Sequence, residues 1–161
     1  MEYSKICAIF GENPTELSFG YDEEYYTCDV LKMRLVSAMQ DAALSGCDAF
    51  ALILDQGVCM WGAEACIAMR ERGENLRLIV MTRSETQASR WHPERRERFY
   101  NIIEKCNEHT DLEGISDVAE EYLIKKAKHA IILGNSNIER IARIADLVEK
   151  AGVFTTLIPS E

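Results

Sequence analysis

Cys59, Trp61 and Glu64 follow Gly57 and Val58 in the stretch "LILDQGVCMWGAEA", and Arg83, Gln87, Arg90 and Trp91 lie in "TRSETQASRW" further on. These residue types can hold a charged, ring-bearing small molecule. A glutamate in the first turns of a helix can bond a ribose or a base, or it can simply complement the positive end of the helix. Arginines and a glutamine after a strand can reach an anion. Tryptophans stack on a base, or they fill a core or a subunit interface, and Arg90 beside Trp91 can instead form a cation–π pair. Cys59 at a helix start can carry a lowered thiol pKa, or it can serve as a small filler. Asn135 and Ser136 in "GNSN" can hold a ligand, and Ser136 can equally cap a helix. The turn at Gly57 stands where many α/β proteins keep a glycine-rich phosphate cradle. Here it has one early glycine, and Asp55 beside it repels a phosphate.

The elements that must position these groups alternate in period. Lys5–Phe10, Ala49–Leu54, Leu76–Met81, Ala130–Leu133 and Val153–Ile158 read as strands, most of them unbroken apolar runs, and His109–Leu112 is a candidate edge strand. Helices are expected where Leu31, Leu35, Ala38, Met39 and Ala42 share a face before Gly46, and from Met60 to Arg72 before Gly73. Pro93 opens another, lined by Phe99, Ile102, Ile103 and Cys106. Asp117 to Lys126 is a shorter one, and the capping-box pair Ser136 and Glu139 starts the last, which Gly152 ends. Apolar strands separated by helices imply a mainly parallel sheet covered on both faces: one doubly wound, Rossmann-like α/β domain across residues 1–161. Its ligand site is expected beyond the carboxyl ends of the strands, in the loops at Gly11, Asp55–Gly57, Thr82–Arg83 and Gly134–Asn135.

The chain has 161 residues and a formal net charge of -9, which disfavours nucleic acid and anionic membrane surfaces as partners. No secretory apolar region follows the start, and no stretch is long enough to span a bilayer. Cys7, Cys28, Cys47, Cys59, Cys66 and Cys106 form no Cys-x-x-Cys pair. They read as reduced thiols of a cytoplasmic protein. The scattered His92, His109 and His129 suggest no metal set.

In "GENPTELSFGYDE" (Gly11–Glu23), "GVCMWGAEA" (Gly57–Ala65), "LRLIVMTRSETQASRW" (Leu76–Trp91) and "HAIILGNSN" (His129–Asn137), the chain resembles the SLOG superfamily. These are Rossmann-like proteins related to DprA and to the LOG phosphoribohydrolases, and the likeness is to the YpsA/YoqJ-like branch of unknown function. The departures are as informative. The family's opening His and Arg fall on Glu12 and Asn13, its Ser-Gly-Gly turn on Leu52, Ile53 and Leu54, and its aspartate after Gly-Val on Cys59. Further family aspartates fall on Lys125 and Lys128, and the Gly-Gly-Thr loop keeps only Gly134. The Pro-Gly-Gly-x-Gly-Thr-x-x-Glu loop of LOG enzymes is absent.

The resemblance implies a site formed by Gly11, Glu12, Asn13, Gly57, Val58, Cys59, Trp61, Glu64, Arg83, Gly134, Asn135 and Ser136, with no catalytic residue assigned and no metal or cofactor. It points to a non-catalytic or weakly binding protein that senses a nucleotide-derived small molecule. An oligomeric, partner-binding scaffold that has lost nucleotide binding is the alternative, and a homo-oligomer is expected. A LOG-like hydrolase of N-glycosidic bonds, with Glu64 and Arg83 or Arg90 as its only candidates, ranks last.

Overall fold

The computed structural model describes residues 5–115 and 118–161. A single six-stranded sheet runs through them: β1 (Ile6–Gly11), β2 (Ala49–Ile53), β3 (Arg77–Thr82), β4 (Glu108–Asp111), β5 (His129–Leu133) and β6 (Phe154–Ile158). Every pairing is parallel, in the order β4-β3-β2-β1-β5-β6. The chain builds outward from β1 to one side, then returns to lay β5 on the other. The strand order therefore switches between β1 and β5, whose register pairs Gly11 with Leu133.

Among the described residues, five helices cover the sheet: α1 (Tyr26–Leu44), α2 (Val58–Glu71), α3 (Pro93–Lys105), α4 (Ala119–Lys126) and α5 (Glu139–Lys150). Alternation along each strand sends Cys7 and Ile9 into one apolar layer with Leu35, Met60 and Ile102, and Ala8 and Phe10 into the other with Leu123, Ile144 and Val148. Burial on both faces explains why the central strands read as continuous apolar runs.

The expected elements are present, the edge strand included, with two corrections. The capping box does not form. The N-cap of α5 is Ile138, with no side-chain bond, and Asn135 Oδ1 instead accepts from the Asn137 N–H at 2.9 Å. An Asx turn two residues ahead of the helix thus takes the place of the Ser136 cap. Helix α4 begins at Ala119, and Asp117, where its start was expected, lies outside the described residues.

The cysteines are free; all but Cys106, which is half-buried, are buried. No described helix is long and apolar enough to cross a membrane.

Candidate functional site

The switch in strand order places the loops after β1 and β5 side by side at the carboxyl edge, where the sequence led us to look. The crevice between them is filled from within. Glu12 is 2% exposed, and its Oε2 accepts the Asn135 backbone N–H at 2.6 Å and the Ser160 hydroxyl. A backbone N–H at this point is a ready anion donor. Here the anion it meets is a carboxylate of the chain itself.

Arg140 closes the crevice further. Its guanidinium bonds Glu16 twice, at 2.7 and 3.1 Å, and donates to the Gly11 carbonyl at 2.6 Å. Glu16 also accepts from the Asn13 N–H at 2.8 Å. Burial opposes the charge on Glu16, but the Arg140 and Asn13 bonds outweigh it and hold its pKa below the usual carboxylate value.

The start of α2 is sealed against the same loop. Val58 donates its N–H to the Glu12 carbonyl at 3.2 Å. Gly57 has φ +92°, and a Cβ there would lie 2.5 Å from that carbonyl oxygen. A Cβ on Gly11 would meet Val58 Cβ at 2.3 Å. Gly57 lets backbone approach backbone, and Gly11 leaves room for the Val58 side chain.

The remaining expected site residues point elsewhere. Trp61 is 4% exposed and stacks on Phe19 at 6.1 Å, with the Lys32 ammonium 5.6 Å from its ring. Glu64 bonds Arg98 at 2.6 and 3.0 Å, and Arg98 in turn bonds Glu23. Burial by itself would raise the Glu23 carboxyl, yet Arg98 and Lys32 bring it down to about 2. The Cys59 Sγ lies 3.7 Å from the Ile9 carbonyl, and burial pushes its thiol up to about 12, so it is no thiolate near neutral pH. Arg83 grips Asp55 through two bonds at 2.8 and 3.0 Å and reaches Glu120 at 3.3 Å. Asp55, which looked like a phosphate repellent, is therefore neutralised by the arginine that looked like a phosphate partner. Gln87 is also committed: it accepts from Arg83 N and donates to the Leu54 carbonyl and to Asp55.

An open cleft remains beside this sealed region, on the β3 side of the start of α2. It encloses about 570 Å³, and Tyr21, Gln56, Arg90, Trp91, His92 and Arg95 are among the residues lining it. It joins the loop after β1 to the segment after β3. Arg90 and Trp91 are among the residues singled out in the sequence; Gln56, whose side-chain oxygen is buried with no hydrogen-bond partner, is not. The expected Arg90–Trp91 pairing gives way to a different one, with Arg95 lying 4.8 Å over the Tyr21 ring. A second hollow of about 460 Å³ lies between α5 and β6, with Gly134, Asn135, Ser136, Ile141, Ala145 and Leu157 among its lining residues. Among the described residues, no group of three or more His, Cys, Asp or Glu is placed to hold a metal ion.

The YpsA family model, described as the YspA SLOG family, matches residues 7–139. The chain belongs to this SLOG family. The match runs from β1 to the first residue of α5. It therefore contains Glu12, Gln56 and the Arg90–Trp91 segment, and it stops before Arg140 and Ser160. The chain is also similar to the UPF0398 protein YpsA of Bacillus subtilis (strain 168), 26% identical over 106 residues. That alignment takes in 64% of this chain and 57% of the relative, so the chain spans little more than half the length of the curated relative it matches.

Proposed function

We propose that this SLOG family member is a non-catalytic small-molecule-binding protein that senses a nucleotide-derived ligand at the carboxyl edge of its sheet, beside the switch point and not in it. One observation carries the reading. At a single sheet edge the switch-point crevice is filled by the chain's own carboxylate, while the neighbouring cleft stays open and is lined by the unpartnered Arg90 and by Gln56, whose amide oxygen is buried without a partner. A cleft of about 570 Å³ falls within the ~300–1,000 Å³ of ordinary ligand pockets.

Hydrolysis of an N-glycosidic bond is the less favoured reading, because Glu64 is paired to Arg98 and Arg83 to Asp55. That leaves no free carboxylate among its candidates Glu64, Arg83 and Arg90.

The test is thermal unfolding of the purified protein with nucleotides, ADP-ribose and dinucleotides at millimolar concentration. A ligand that binds only the folded state raises the midpoint. A rise with at least one of them is expected; no rise with any of them sinks the proposal.

The scaffold reading draws on a different feature. Strand β6 is an edge strand without a charged residue, and its Phe154 and Leu157 are 68% and 65% exposed. The opposite edge, β4, is "EHTD", the charged kind that resists pairing. Self-association through β6 predicts that Phe154→Lys converts an oligomer to a monomer in sedimentation; a wild-type monomer would remove this reading.

A further inference from the structure

We infer that the outward face of α1 docks on the same face of a second copy of the chain, with the two helices running parallel about a two-fold axis. The inference does not depend on what the cleft binds, and it uses a different surface from strand β6.

Helix α1 is apolar on two opposite sides. Its inner line, Cys28, Leu35 and Ala42, is buried in the core together with Leu31, Ala38 and Met39. Its outer side presents Tyr26, Met33 and Leu44, which are 78%, 71% and 86% exposed. A surface helix ordinarily turns polar groups outward, and α5 does so with Arg143, Asp146, Glu149 and Lys150. A helix apolar on both sides fits between two layers, and the described residues supply only the inner one.

The outer residues also have a pairing pattern. Tyr26, Val30, Met33, Ser37, Gln40 and Leu44 follow one another in alternating steps of four and three residues along the 19-residue helix. That is the a/d spacing of a coiled-coil seam. Met33 contributes a flexible apolar contact that adapts to its neighbour. A polar seam residue lowers stability but fixes register. In a parallel pair Gln40 meets the partner's Gln40, and each amide can both donate and accept.

The flanking charges say what the partner is and which way it runs. Asp29 and Arg34 are exposed, and neither has a partner among the described residues. With the seam at a and d, Asp29 is a g residue and Arg34 the next e residue. In a parallel pair these two positions face each other across the seam, so Asp29 meets the partner's Arg34. The two-fold axis repeats the contact, with Arg34 on the partner's Asp29. Such self-complementarity is what a contact between identical surfaces requires. Antiparallel helices with fully overlapping seams would instead set Arg34 against the partner's Arg34, and like charges repel. The loop after β1 leads into α1, so the parallel pair places both carboxyl edges, and both clefts lined by Tyr21, at the same end of the dimer.

Sedimentation equilibrium of the full chain tests this, and a concentration-dependent dimer is expected. Met33→Glu places two like charges in the seam and should raise the dissociation constant at least about tenfold. Asp29→Arg and Arg34→Asp should each raise it about 3- to 10-fold. The double variant should return to within about twofold of the wild type, because the exchanged charges face each other again. All three positions are exposed, and an unchanged circular dichroism spectrum shows that the variants fold. A wild-type monomer at concentrations up to about 1 mM overturns the inference. So does a dimer that Met33→Glu leaves intact; if Phe154→Lys dissolves that dimer, the contact belongs to β6. A dimer weakened by Met33→Glu but not restored by the double charge exchange overturns the parallel arrangement.

Discussion

The crevice between β1 and β5 and the cleft beside the start of α2 share one sheet edge, yet they treat charge in opposite ways. In the crevice the strongest groups are spent on one another: Glu12 on Asn135 and Ser160, and Arg140 on Glu16 and Gly11. Among the residues lining the cleft, the buried Gln56 amide oxygen and the exposed Arg90 guanidinium have no partner among the described residues. Both regions contain the residue types that recognise anions and rings. What separates them is whether the protein has already satisfied those groups, and residue type alone does not reveal that.

The most damaging way to break the comparison is Gly57→Ala. The new Cβ would sit 2.5 Å from the Glu12 carbonyl oxygen at a φ of +92°, where L side chains are strained. Loss of about 3 kcal/mol or more is expected in equilibrium urea unfolding, because backbone on both sides must move. A loss under about 1 kcal/mol would mean that the seal between the β1 loop and α2 is loose.

A somewhat smaller effect sits at the edge of the open cleft, where Glu23 ties Arg95, Arg98 and Lys32 together. Its folded pKa of about 2 lies below the ordinary 4.5. A lowered carboxylate stabilises the fold above its unfolded pKa, and that stability drains away as pH falls from about 4.5 toward 2. At neutral pH it amounts to something on the order of 2–3 kcal/mol. Urea midpoints measured between pH 6 and pH 3 should fall for the wild type, and Glu23→Gln should flatten the part of the slope that belongs to this carboxylate.

The smallest effect belongs to the exposed pair on the same edge. Arg83→Gln loses two bonds to Asp55, but the arginine side chain is 43% exposed. A cost below about 1 kcal/mol, shrinking further in high salt, follows from screening. A cost above about 2 kcal/mol would show that the Asp55–Arg83–Glu120 cluster is a structural clamp.

The fold was legible because its signals are local. Apolar runs such as "AFALI" and "HAIIL", helix faces such as Leu31–Leu35–Ala38, and the proline at the start of α3 each carry their own period or stop. Even the short polar strand at Glu108–Asp111 fell within reach of the pattern. The site was legible only in outline. The carboxyl edge and its loops followed from the alternation of strands and helices, and the family likeness followed from four stretches of sequence.

What the side chains do there was not legible, because their partners are distant in sequence. Glu12 falls where the resemblance places a histidine, and its role emerges only from Asn135 and Ser160, 123 and 148 residues away and bonded to it. Arg140 meets Glu16 across 124 residues, and Arg98 meets Glu23 across 75. Ser136 is not the cap: Asn135, one residue earlier, forms an Asx turn, and the helix starts after Ile138. Gln56 carried no sequence signal, since an unpartnered oxygen is defined only by its surroundings.

The central claim is that the switch point still has its anion donor and that Glu12 occupies it. NMR of the Asn135 amide in wild type and in Glu12→Ala, titrated with inorganic phosphate, tests this directly. The account predicts an Asn135 resonance that ignores phosphate in the wild type and shifts saturably once the carboxylate is removed. A wild-type Asn135 amide that already responds to phosphate, or a folded Glu12→Ala variant whose Asn135 stays silent, would contradict it.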